Sequence, residues 1–75
     1  MLSAPKIRAA RALLGWTQGR LAAEAGLSKT GLVNLENGAD SKASTLERVE
    51  RALTNAGVRF TEYGAELPPP PGPSS

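Results

Sequence analysis

The chain stops and restarts its own helices at short intervals, and that punctuation limits what it can fold into. Gly15 is followed by Trp16 and Thr17, Gly26 by Leu27 and Ser28, and Asn37 by Gly38. A glycine ends a helix because it tolerates the positive φ of a C-terminal cap. A Ser or Thr hydroxyl then accepts from an orphan amide of the next first turn. The spacing therefore predicts short helices, not one long coil. The first follows Ser3 as a cap, with Pro5 in its first turn, and carries Ile7, Ala10, Arg11 and Leu14 at three- and four-residue spacing, with Leu13 beside them. The second covers residues 18–25, capped by Thr17, and the third covers residues 29–37, capped by Ser28, with Leu32 and Leu35 turned inward. After a polar loop over 39–43, Ser44 or Thr45 is expected to cap a longer helix that reaches Ala56. Leu46, Val49, Leu53 and Ala56 share one of its faces, and Glu47, Arg48 and Arg51 lie outside.

Beyond Gly57 the pattern changes. Val58, Arg59, Phe60, Thr61, Glu62 and Tyr63 alternate apolar and polar, the two-residue period of a strand. It is the only strand candidate in the sequence, and a lone strand cannot satisfy its own backbone. The expectation is that it pairs with the same strand of a second subunit, with Val49, Leu53, Val58 and Phe60 as the dimer contacts. From Leu67 onward the chain is Pro68-Pro69-Pro70-Pro71-Gly72-Pro73-Ser74-Ser75, read as a disordered tail, with a proline-recognition ligand as the weaker alternative. The organisation expected is residues 1–57 as the main domain, 58–66 as the strand and dimer contact, and 67–75 as the tail.

Seventy-five residues suffice for one small domain, and a domain of that size buries only about 60% of its unfolded surface. A partner subunit would add to its thin stability margin. There is no cysteine, so disulfides are excluded and a reducing, cytoplasmic setting is expected. There is no histidine either, which removes the commonest general base and the commonest metal ligand. No apolar stretch approaches the length of a signal peptide or a membrane span. No phosphate-cradling glycine signature occurs, and the carboxylates are scattered. These observations argue against an enzyme, and no metal or cofactor is expected. The net charge is only +2, but it is unevenly spread. Residues 1–34 carry Lys6, Arg8, Arg11, Arg20 and Lys29 against Glu24 alone, whereas residues 35–75 are net acidic. A basic front half suits a polyanion.

The informative unit runs from Thr17-Gln18 to Asn37-Gly38: two short helices joined by the tight turn Ala25-Gly26-Leu27-Ser28. Such a turn lets the second helix cross the first steeply and protrude, and a protruding helix fits a major groove about 12 Å wide. Lys29 can donate to guanine or to a phosphate, Asn34 can pair with the adenine edge, and the Val33 methyls can meet a thymine methyl. Ser28 and Thr30 hydroxyls suit either base edges or phosphates. The amides at the helix starts before Gln18 and Lys29 favour anions.

Leu13-Leu14-Gly15-Trp16-Thr17-Gln18, Leu21-Ala22, Ala25-Gly26-Leu27-Ser28, Leu32 and Leu35-Glu36-Asn37-Gly38 together resemble the lambda-repressor-like, Cro-type helix-turn-helix domain, also called xenobiotic-response-element-like. The resemblance spans residues 7–56. It implies an all-α fold, a compact bundle of four to five helices with the short C-terminal strand appended, and binding of double-stranded DNA as a homodimer on a near-palindromic site, usually in repression. It also implies residue roles. Gln18 would contact a phosphate and brace the recognition helix. Ser28, Lys29 and Thr30 would reach bases and phosphates, and Val33 and Asn34 would continue the base contacts. Asn37, Ser41 and Lys42 would touch the backbone, and Arg11 and Glu36 would form an internal salt bridge. The sequence departs from the pattern at Gly19 and Gly31; the latter, inside the recognition helix, would either admit a close DNA approach or leave the helix soft. The competing reading is an antitoxin or adaptor that uses the same fold to hold a protein partner.

Overall fold

The computed structural model describes residues 2–69, so the part of the proline-rich tail from residue 70 onward lies outside the described residues. Four helices come first, α1 (Ala4–Leu14), α2 (Gln18–Ala25), α3 (Lys29–Glu36) and α4 (Ala43–Asn55). Two short strands follow, β1 (Arg59–Thr61) and β2 (Gly64–Glu66).

The caps explain most of the helix ends. Thr17 accepts from the Arg20 amide at 3.0 Å, and Ser28 accepts from the Gly31 amide at 3.0 Å. Each satisfies a donor that has no partner within its helix. Gly15 and Gly26 close α1 and α2 at φ 67° and 71°, a left-handed conformation that a side chain would strain. Two of the expected caps differ. Ser3 occupies the position before α1 but its hydroxyl makes no capping bond. The fourth helix starts earlier than Ser44 or Thr45 would place it, with Lys42 in the cap position and no side-chain acceptor there. Lysine has no acceptor to offer, so this start is fixed by backbone bonds, including Leu46 N–H to Lys42 C=O at 3.1 Å.

Each helix contributes one apolar stripe to a common centre. Ile7 and Ala10 come from α1, Leu21, Ala22 and Ala25 from α2, Leu32 and Leu35 from α3, and Val49 and Leu53 from α4. Trp16, Leu14, Leu27 and Leu46 pack around them. No helix among the described residues is long and apolar enough to cross a membrane.

The strand expectation needs correction. Residues 58–63 do not form one unpaired strand. The chain turns at Glu62 and Tyr63 and pairs β1 with its own β2, antiparallel, in the register Arg59↔Glu66, Phe60↔Ala65 and Thr61↔Gly64. Arg59 Nε and Glu66 Oε1 close the open end of the hairpin at 2.8 Å. The need for a second subunit to satisfy β1 is thereby removed on one side. Val58, expected at a dimer contact, is 3% exposed and belongs to the chain's own core, and Val49 and Leu53 are fully buried there. Of the four expected dimer contacts, only Phe60 is even partly accessible. β2 packs on α1, so the hairpin and the helices share one core across the boundary expected after residue 57.

Candidate nucleic-acid interface

α3 is held by one side and open on the other. Leu32, Leu35 and Glu36 are buried, while Lys29, Thr30, Gly31 and Asn34 are exposed and Val33 is half-buried. The period of the helix produces this division, because residues three and four apart share a face. The N-terminal half of α3 therefore presents an uncovered polar surface, with Ser28 at its start fixed by its own cap bond.

The anchor beneath α3 is polar. Glu36 is 2% exposed, and the Arg11 guanidinium grips it in a fork: Nε to Oε2 at 3.0 Å and a terminal amino group to Oε1 at 3.0 Å. The same guanidinium donates to the Trp16 carbonyl at 3.1 Å. The Gln18 side-chain amide completes the set, donating to Glu36 Oε1 at 3.4 Å. A two-pronged Arg–carboxylate contact fixes orientation as well as charge. One cluster thus ties the end of α1, the turn after it, the first residue of α2 and the last residue of α3. Gln18 is half-buried and held from below by its bond to Glu36.

On the other flank, the segment after α3 folds back along it. Asn37 caps α3, and the Ala39 amide donates to the Asn34 carbonyl at 3.0 Å. A groove of about 380 Å³ results, lined by Leu27, Ser28, Gly31, Asn34 and Leu35 on one side and Ala39, Asp40, Ser41 and Thr45 on the other. Ser28, Asn34 and Ser41 therefore face a shared space. Lys29, Thr30, Asn37 and Lys42 are exposed but do not line this groove, and Val33 and Gln18 stand apart from it.

At Gly31, inside α3, the space for a side chain is tight. A methyl group there would lie 3.1 Å from Ser28 Oγ, the atom that caps the helix. Two further features escaped the sequence reading. Asp40 places a negative charge in the groove. Arg20 lies over the Trp16 ring, 4.8 Å from its centroid, and pairs with Glu24 at 3.3 Å. The four-residue spacing of Arg20 and Glu24 was the available signal; the turn that brings Trp16 beneath Arg20 has no such signature.

The family model HTH_3, described as helix-turn-helix, matches residues 7–58. The chain belongs to this family. It is a lambda-repressor-like, Cro-type helix-turn-helix protein, a DNA-binding transcriptional regulator of the xenobiotic-response-element type. In helix-turn-helix terms α2 and α3 are the paired helices, and α3 is the recognition helix. No curated protein matches the chain.

Proposed function

We propose that this helix-turn-helix protein is a repressor that binds a near-palindromic operator as a dimer, with α3 in the major groove of each half-site. The observation that carries the reading is the exposed run of Lys29, Thr30, Gly31 and Asn34 on a helix whose opposite side is locked by Leu32, Leu35 and the Arg11–Glu36 pair. Lys29, Thr30, Val33 and Asn34 are assigned to base edges, with Lys29 and Thr30 also reaching phosphates. Gln18 and Ser28 take phosphates at the two helix starts, where exposed amides favour anions. Asn37, Ser41 and Lys42 follow the backbone beyond α3. Phosphate contacts set the register and base contacts choose the sequence. Two recognition helices in successive major grooves would lie about 34 Å apart.

Few cations support this surface. Lys29 and Lys42 flank it, and Asp40 opposes them. Sequence-independent affinity should accordingly be modest. The test is a binding assay with duplex DNA selected by the purified protein and with an unrelated duplex. Asn34→Ala should lose about 1–3 kcal/mol on the selected duplex and almost nothing on the unrelated one. Lys29→Glu should weaken both. Equal loss from Asn34→Ala on the two duplexes would contradict base readout by α3. Repression itself is read from a reporter placed behind the selected site, whose output should fall when the protein is expressed; a rise would make the protein an activator.

A further inference from the structure

The groove beside α3 holds a charged side chain that the contacts assigned above do not use. Asp40 lines it with Ser28, Asn34 and Ser41, over an apolar floor of Leu27 and Leu35. The loop that carries Asp40 is anchored on both sides. Before it, the Asn37 amide donates to the Val33 and Asn34 carbonyls at 3.0 and 3.1 Å, Gly38 to Leu35 at 3.1 Å, and Ala39 to Asn34 at 3.0 Å. After it, the Lys42 carbonyl accepts from Thr45 and Leu46 at 3.0 and 3.1 Å. Only Asp40 and Ser41 lie between the anchors, so the loop cannot swing the carboxylate away from Asn34. The charge is also unspent. Asp40 is exposed and takes part in none of the ion pairs among the described residues.

Resting on the reading of α3 as the helix that enters the major groove, we propose that Asp40 is a specificity-determining residue. Its carboxylate accepts from a cytosine amino group beside the adenine read by Asn34, and it rejects phosphate. An ionised carboxylate can only accept hydrogen bonds. In the major groove cytosine offers its N4 amino group and no acceptor. Adenine sets an acceptor, N7, next to its amino group, while guanine and thymine present acceptors alone on their own edges. The expected order of preference is therefore cytosine, then adenine, then guanine or thymine. A phosphate over the same groove would meet a like charge with no donor of its own to offer. Binding to unrelated DNA rests on phosphates, so it bears this penalty in full. A site with cytosine in the right place offsets it through the new hydrogen bond. Asp40 thus separates partners by penalising the wrong ones, which widens the gap between operator and bulk DNA without requiring a tighter operator complex. The few cations around α3 fit the same economy: a surface that attracts all DNA weakly leaves more of the discrimination to base contacts.

Affinities for a duplex selected by the purified protein, for copies of it altered one base pair at a time, and for an unrelated duplex test this. The wild-type protein should select a cytosine next to the adenine whose recognition Asn34→Ala abolishes, and changing that cytosine to thymine should cost about tenfold. In Asp40→Ala the thymine penalty should vanish, and affinity for the unrelated duplex should rise by about threefold. The melting temperature should not move, because the Asp40 side chain is exposed and outside the ion pairs. Glu47→Gln removes one negative charge from a part of α4 that does not line this groove, and should leave the thymine penalty in place. Selected sites without that cytosine overturn the proposal. So does an Asp40→Ala protein that keeps the thymine penalty, whether its affinities are unchanged or rise equally on every duplex. In those cases selective loss from Asn34→Ala leaves α3 as the reading helix, and only the role of Asp40 fails. A protein that binds no duplex overturns both.

Discussion

Glu36 is the residue on which the recognition helix depends most, because it is buried, charged and at the end of α3. Burial of a carboxylate is costly unless a partner and hydrogen bonds compensate, and here Arg11 and Gln18 do so. Removing one partner of such a pair leaves the other stranded. Arg11→Met should therefore cost about 3–5 kcal/mol of stability, read as a lowered denaturation midpoint. Replacing both, as Arg11→Met with Glu36→Leu, should cost much less, since no charge is left unpaired. If the double variant is no more stable than Arg11→Met, the ion pair is not the source of the loss. The pairing was legible only through the family resemblance. Arg11 and Glu36 are twenty-five residues apart, and no helical or strand period connects them. Asp40 illustrates the opposite case: a charge whose identity was plain but whose place beside α3 depends on how the loop folds back.

At the scale of the elements, the cap residues carried the prediction. Thr17 and Ser28 are local signals, since hydroxyl and amide lie three residues apart, and both make the bond that their position implies. Ser28→Ala should lower stability by about 1 kcal/mol and weaken binding to every duplex by loosening the first turn of α3. Unchanged denaturation would show that the cap contributes nothing in this setting. α4 was found but started too late, because its start has no side-chain cap to read. The hairpin was half legible. Val58 to Tyr63 announced a strand by alternation, of which β1 keeps only Arg59–Thr61, but Gly64, Ala65 and Glu66 have little strand preference, and the loop has no Asn-Gly or Asp-Gly signature. β2 exists because β1 and α1 provide a place for it, which is tertiary information.

Taken whole, the molecule has one core that runs from Ile7 to Val58 and continues into the hairpin. A chain ending at Gly57 would lose the buried Val58 and the cover that β2 gives α1. Val58 alone is worth about 1.5–3 kcal/mol, a large share of the stability of a domain this small. The truncated protein should melt at a markedly lower temperature, and a melting curve equal to that of the full chain would make the hairpin an appendage. The sparse cations beside α3 bear on binding at the same scale. The slope of log affinity against log salt on unrelated DNA should correspond to only a few neutralised phosphates, and a steep slope would require basic groups elsewhere to take part.

The central claim is that the open side of α3 enters duplex DNA. Titration of the labelled protein with a selected duplex, followed by backbone amide resonances, addresses it residue by residue. The account predicts that the largest shifts fall at Gln18, at Ser28 through Asn34, and at Asn37, Ser41 and Lys42, with the outer side of α4 left unmoved. Shifts concentrated on α4 or the hairpin, with α3 silent, would contradict it.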